Sequence, residues 1–177
     1  FEAGGHNGRE ETTTMCLIPM VRKTIDIPLI AAGGIGTGGG VLAAMALGAE
    51  GVQIGSRFIA TPESSAHQNF KDYVLNAKEG DTELTLKELT PVRLLKNKFY
   101  AEVQSAYQRG ASQQGLKELL GRGRAKKGMF LGDLKEGELE VGQISGLMNE
   151  IKPAAKVLEE IWQEFLEAKK ELQNISF

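Results

Sequence analysis

The chain of 177 residues is 41% apolar and 25% charged, with 21 basic residues against 23 acidic ones and a net charge of −2. This balance excludes a disordered chain and an electrostatic binder of nucleic acid, and no stretch approaches the roughly 18–20 apolar residues a membrane helix needs. A single cysteine, Cys16, excludes an internal disulfide and a zinc site built on cysteines, so a reducing, cytoplasmic setting is expected, in one domain or part of a larger one.

Residues 12–23 read as a helix with Met15, Leu17, Ile18 and Val21 on a broad apolar face, interrupted by Pro19. Residues 25–32 follow as a short strand, apolar on both faces from Pro28 to Ala32, the mark of a buried parallel strand. A Gly-rich loop then leads into a compact helix, Val41 to Leu47, closed by Gly48. Gly51-Val52-Gln53-Ile54-Gly55 is the next strand. Strand, glycine loop, helix, strand, glycine loop is a βαβ order with short connections. Beyond it, residues 65–78, 94–109, 114–120 and 153–172 read as helices. Residues 84–89 read as a short strand or loop, 121–128 as a basic glycine-rich loop, and 141–149 fit no single element.

Glycine is concentrated at the start: 12 of 22 lie in the first 55 residues. Three clusters stand out there. Glu2-Ala3-Gly4-Gly5-His6-Asn7-Gly8 sets a histidine between glycines, where an imidazole acts beside a ligand as general base or hydrogen-bond donor; a surface or capping histidine is the competing reading. Ala31-Ala32-Gly33-Gly34-Ile35-Gly36-Thr37-Gly38-Gly39-Gly40 follows a strand and opens a helix, a place where backbone N–H groups and the helix dipole attract phosphate. It lacks the dinucleotide-binding fingerprint and the Lys-Ser/Thr of a P-loop. Gly51 to Phe58 ends a second strand in Gly55-Ser56. Two glycine loops after consecutive parallel strands, about 21 residues apart, is the arrangement of the phosphate site after the last two strands of a (β/α)8 barrel.

Together, Glu2-Ala3-Gly4-Gly5-His6, the Ala-Ala-Gly-Gly-Ile-Gly loop and Gly48-Ala49-Glu50-Gly51-Val52-Gln53-Ile54-Gly55-Ser56-Arg57-Phe58 resemble the nitronate monooxygenase family, formerly 2-nitropropane dioxygenase, which also holds the flavin-containing enoyl-ACP reductases. Weaker similarity continues through Glu63 to His67, Gly121 to Gly132 and Gly142-Gln143. The resemblance implies an α/β fold: the C-terminal part of an FMN-binding TIM (β/α)8 barrel over residues 1–62, then a mostly helical region over 63–177 packing on it. It implies FMN as cofactor, with NAD(P)H a candidate co-substrate, and a nitronate monooxygenase or an enoyl reductase as the activity. His6 corresponds to the family's active-site histidine. Gly5 lies beside the flavin, and Gly33, Gly34, Gln53, Ile54, Gly55 and Ser56 carry the two phosphate loops. Many members have Thr at Ser56 and Asp at Thr37. No metal site, nucleic acid or membrane is implied.

The chain opens on Phe1, and two parallel strands leave edges and faces to be covered. The expectation is a missing N-terminal half of the barrel as partner, with a homodimer as the other way to cover them, and a small molecule as substrate. His67 reads as a helix-start residue away from ligand. Arg122, Arg124, Lys126 and Lys127 read as a solvated loop, with an anionic substrate as the competing role. Cys16 reads as packed, and Trp162 with Phe165 as core or interface.

Overall fold

The computed structural model describes residues 4–5 and 12–175. The first helix, α1 (Thr14–Arg22), keeps Pro19 inside and buries Ile18. Strand β1 (Ile30–Ala32) pairs in parallel with β2 (Gly51–Gln53), in the register Ile30↔Gly51, Ala31↔Val52 and Ala32↔Gln53. Between them runs α2 (Gly38–Ala46). Ile18, Ala31, Ile35, Ala44 and Ala49 form the core of this βαβ unit, with Leu29, Val52 and Ile54 packed against it.

Strand β1 is shorter than the apolar run that announced it, and it is not buried on both sides. Ala31 is 5% exposed whereas Ile30 is 54% and Ile27 67% exposed. Ile30 is thus a β-branched side chain left open on a parallel strand among the described residues.

A 3₁₀ turn (Ser56–Phe58) and α3 (Gln68–Leu75) follow. Lys71 is buried, and its ammonium donates to the carbonyls of Thr61 (2.7 Å) and Ser64 (2.9 Å), which fixes the turn leading out of the βαβ unit. His67 is the N-cap of α3, its Nδ1 accepting from the Asn69 N–H at 3.1 Å.

The segment expected as one long helix from residue 94 divides. Residues Thr82–Thr85 (β3) and Val92–Leu95 (β4) form an antiparallel pair, and the helix α4 begins only at Lys98 and ends at Gln108. The Val-Arg-Leu-Leu alternation buries Val92, Leu94 and Leu95 against two different clusters, a sheet demand that outweighs the helical propensity of leucine. Asn97 then caps α4, its Oδ1 accepting from Tyr100 N–H at 2.9 Å. Helix α5 (Gln113–Leu120) closes this unit around Phe99, Val103 and Leu116.

Residues 139–141 run beside β4: Leu95 N–H donates to Leu139 O (3.0 Å) and Val141 N–H to Arg93 O (3.2 Å). On the same strand, Arg93 N–H donates to Gly5 O at 2.7 Å, which ties the start of the chain to its C-terminal region. A 3₁₀ turn (Gln143–Leu147) and α6 (Ala154–Gln173) complete the fold, α6 lying along α2. The Trp162 and Phe165 rings stack 5.4 Å apart, but Trp162 is 58% exposed, so that pair is not core. Cys16 is likewise exposed rather than packed.

Candidate functional site

The ends of β1 and β2 open on one cavity of about 340 Å³, at the low end of the range for small-molecule sites. From the β1 loop it takes Ala32, Gly33, Gly34 and Ile35, and from the end of β2 Gln53, Gly55 and Ser56. Gly4 and Gly5 contribute from the start of the chain. Met129, Glu140, Val141 and Ile144 close it from the C-terminal region.

Gly33 and Gly34 have φ of 89° and 70°, left-handed values that strain any side chain with a Cβ, so the turn leaving β1 requires these two residues. Gly55 is glycine for a different reason. A Cβ built there meets no atom within 4 Å, so a side chain would take only open space at the edge of the cavity. Backbone approach without side chains is what a phosphate or a flat ring needs at such a wall. The cradle therefore fits FMN in the form the residues allow: two glycine loops for a phosphate and an apolar floor for a ring. Ser56 Oγ accepts from Gly142 N–H at 2.8 Å, which clips the second loop to the C-terminal region and leaves the hydroxyl proton to give elsewhere.

Of the site residues expected from sequence, Gly5, Gly33, Gly34, Gln53, Gly55 and Ser56 meet in this one wall. Ile54 does not; just past the end of β2 it packs into the core beside Ala31 and Ile35. His6 lies outside the described residues.

The start of α2 departs from expectation. Its first-turn N–H groups are taken within the protein: Gly38 N–H donates to the Glu164 carboxylate (2.7 Å) and Gly40 N–H to Thr37 Oγ1 (3.1 Å). Gly36 and Gly38 serve packing. A Cβ on Gly36 would strike the Ile144 side chain, and one on Gly38 the backbone of Phe165. The glycine run thus splits in two, with Gly33-Gly34 facing the cavity and Gly36 and Gly38 receiving the 143–147 turn and α6 respectively.

The basic run is also divided. Arg124 lies over the Phe99 ring, 4.4 Å from its centroid, and donates to Leu120 O and Glu136 O. Lys127 pairs with Asp133 at 3.2 Å. Only Arg122 and Lys126 remain as exposed cations without such a structural use among the described residues.

Met129, Glu140, Val141 and Ile144 were not anticipated as wall residues. The signal available was the similarity continuing through Gly121–Gly132, which contains Met129, and Gly142-Gln143, which lies beside Glu140, Val141 and Ile144, without pointing to their side chains. Met129 sits in a π-turn (Lys126–Phe130), a rare geometry that concentrates at functional sites. Glu140 is largely buried, and that burial pushes its carboxyl up to about 6.

A profile of a family described as nitronate monooxygenase matches residues 1–164. A curated relative, "Probable nitronate monooxygenase" of Staphylococcus haemolyticus (strain JCSC1435), is 47% identical over 93 residues, covering 48% of this chain and 26% of the relative. The protein of the same description from Staphylococcus aureus (strain Newman) is 44% identical over 92 residues, with 48% and 26% covered. Among solved structures, FabK from Thermotoga maritima is 40% identical with a TM-score of 0.88, over 96% of this chain and 53% of that one. Nitroalkane oxidase from Streptomyces ansochromogenes is 30% identical with a TM-score of 0.71, over 96% and 50%. The chain spans about half the length of these solved structures, and its matched stretch about a quarter of the curated relatives.

Proposed function

The chain belongs to the nitronate monooxygenase family, and from that premise we propose that it is part of an FMN-dependent oxidoreductase that oxidises alkyl nitronates with O₂. The observation that carries this reading is the convergence of Gly33-Gly34 and Gly55-Ser56 on a single cavity beside Gly5. On this reading β1 and β2 are the last two strands of a (β/α)8 barrel. The strands that flank them are supplied from outside residues 1–177 or by a second copy of the chain. The exposed Ile30 on β1 supports such a neighbour. The setting is cytoplasmic.

Bound FMN supplies the redox chemistry, taking electrons from the substrate and passing them to oxygen. The chain's residues do the rest. The backbone N–H groups of Gly33-Gly34 and Gly55-Ser56 hold the phosphate. Gly5 lets the backbone approach the ring, and Met129, Val141 and Ile144 exclude water from the apolar side of the cavity. His6 donates a hydrogen bond to the nitro group of an anionic nitronate, or takes the α-proton when the substrate is a neutral nitroalkane.

A second reading, an NAD(P)H-dependent reductase of enoyl thioesters, is favoured by a specific observation: the likeness to FabK exceeds that to nitroalkane oxidase, at 40% against 30% identity and TM-scores of 0.88 against 0.71. There His6 donates to the thioester carbonyl. One experiment separates the readings: oxygen uptake and NADPH consumption by the flavin-loaded protein, with a nitronate and with a crotonyl thioester. Oxygen uptake on nitronate without NADPH supports the first. NADPH loss that depends on the thioester supports the second. Bound FMN with neither turnover leaves a flavin-binding protein and overturns both. His6→Ala is expected to keep the yellow cofactor and to lose about 10²–10⁴-fold in turnover.

A further inference from the structure

Glu140 is the one titratable side chain among the described residues of the cavity wall; the others are glycines, apolar residues, Gln53 and Ser56. We infer that Glu140 accepts a hydrogen bond from a donor group of the bound flavin, a ribityl hydroxyl or the imide N–H of the ring, and so positions the cofactor. This rests on the flavin reading above and deepens it.

The argument is one of complementarity. The glycine loops offer backbone donors, which suit the acceptors of a flavin: its phosphate and its ring carbonyls. A flavin also carries donors, which backbone N–H groups cannot receive; of the side-chain acceptors in the wall, Gln53 and Ser56 are neutral, Ser56 Oγ already accepts from Gly142 N–H, and Glu140 is the one that can carry a negative charge. A carboxylate has no proton to give and about four lone-pair positions, so it can keep a protein partner and still accept from a ligand. Its placement is rigid. Glu140 bridges to Leu94 and is flanked by the Leu139 and Val141 hydrogen bonds to β4. Gly5 also lies against this stretch, where a Cβ would make ordinary contact with Val141 Cα at 3.5 Å and with the carbonyl carbon of Glu140 at 3.6 Å. A group fixed by backbone on both flanks is the kind that sets a ligand's orientation. Burial raises the carboxyl to about 6, so near neutral pH it is mainly ionised at a cost in desolvation, and a ligand donor offsets that cost.

The test titrates apoprotein with FMN, riboflavin and lumiflavin, which lacks the ribityl chain, following flavin fluorescence. Glu140→Leu is expected to weaken FMN and riboflavin by about 10–100-fold, as for loss of a charge-assisted hydrogen bond. Lumiflavin affinity unchanged between wild type and variant assigns the donor to the ribityl hydroxyls; an equal loss assigns it to the ring imide. Glu140→Gln keeps an acceptor and is expected to recover part of the affinity, while loss of the negative charge raises the flavin midpoint potential, a shift that a purely structural role would not produce. Should the Leu variant fail to fold, the Gln variant decides: weaker FMN binding with a raised potential supports the inference, and neither change overturns it. Wild type and variants binding all three flavins within twofold overturns it while the flavin reading stands. Wild type binding no flavin overturns both.

Discussion

Two stretches of the same glycine run meet opposite fates. At Gly33-Gly34 and again at Gly55-Ser56 the backbone faces an open cavity, whereas at the start of α2 it faces another part of the chain. Both places follow a parallel strand and both offer N–H groups of the kind that bind anions. At α2 the anion is already present: it is the carboxylate of Glu164, 126 positions away in sequence. A helix N-terminus is therefore a candidate site only until the tertiary structure shows what has reached it.

The largest effect should come from placing a methyl group on each side of this divide. Gly38→Ala drives a Cβ into the Phe165 backbone, and backbone cannot yield as a side-chain tip does. It should cost about 1–3 kcal/mol or more despite alanine's better helix propensity, read as a lower urea midpoint. Gly55→Ala adds its methyl to open space and should leave the midpoint within about 0.5 kcal/mol. Gly55→Val should keep the fold and lose FMN. If Gly38→Ala is silent, or Gly55→Val binds FMN like wild type, the division into a packing stretch and a ligand stretch fails.

A smaller effect is expected at Glu164. Removing it in Glu164→Ala takes a carboxylate from the α2 N-terminus and should cost about 0.5–2 kcal/mol, as for a lost N-cap. The vacated Gly38 N–H should then take up sulfate, so the melting temperature of the variant should rise with sulfate more than that of wild type. Equal sulfate responses would mean that Glu164 is not the resident anion.

The smallest concerns the cavity side. Glu140 stands at about 6 against an ordinary 4.5, so between those pH values the folded chain keeps a proton that the unfolded chain has released. Its contribution therefore falls as pH rises through this window and stays unfavourable above about 6. Glu140→Gln should be more stable than wild type by on the order of 1 kcal/mol at pH 7–8, after allowance for solvent screening. The gain should vanish below about pH 4.5, as thermal melts across pH will show. A gain independent of pH would point to packing instead of charge.

The βαβ order, the parallel pairing of the strands and most of the glycine wall were legible because each rests on local chemistry. Short apolar runs, short connections and Gly-Gly turns leave marks within a few residues of one another. The β3–β4 pair was not legible. Leu94 and Leu95 carry good helix propensity, and it is partners distant from them, Glu83 and Thr82 across the hairpin and Glu140 and Leu139 on the other side, that make them strand. Met129, Glu140, Val141 and Ile144 escaped for the same reason, since nothing near them in sequence says that they return to the ends of β1 and β2.

By itself, the sequence determined where the backbone must turn without side chains, and hence where a phosphate has room to approach. Tertiary structure decided which of those turns remain open. That choice depends on groups distant in sequence: Glu164 filling the α2 terminus, Ser56 holding Gly142, and Glu140 carried into the wall by its bridge to β4. Backbone freedom is a property of a residue and its neighbours, and it can be read locally. Occupancy is a property of whatever packs against it, and it exists only once the chain has closed on itself.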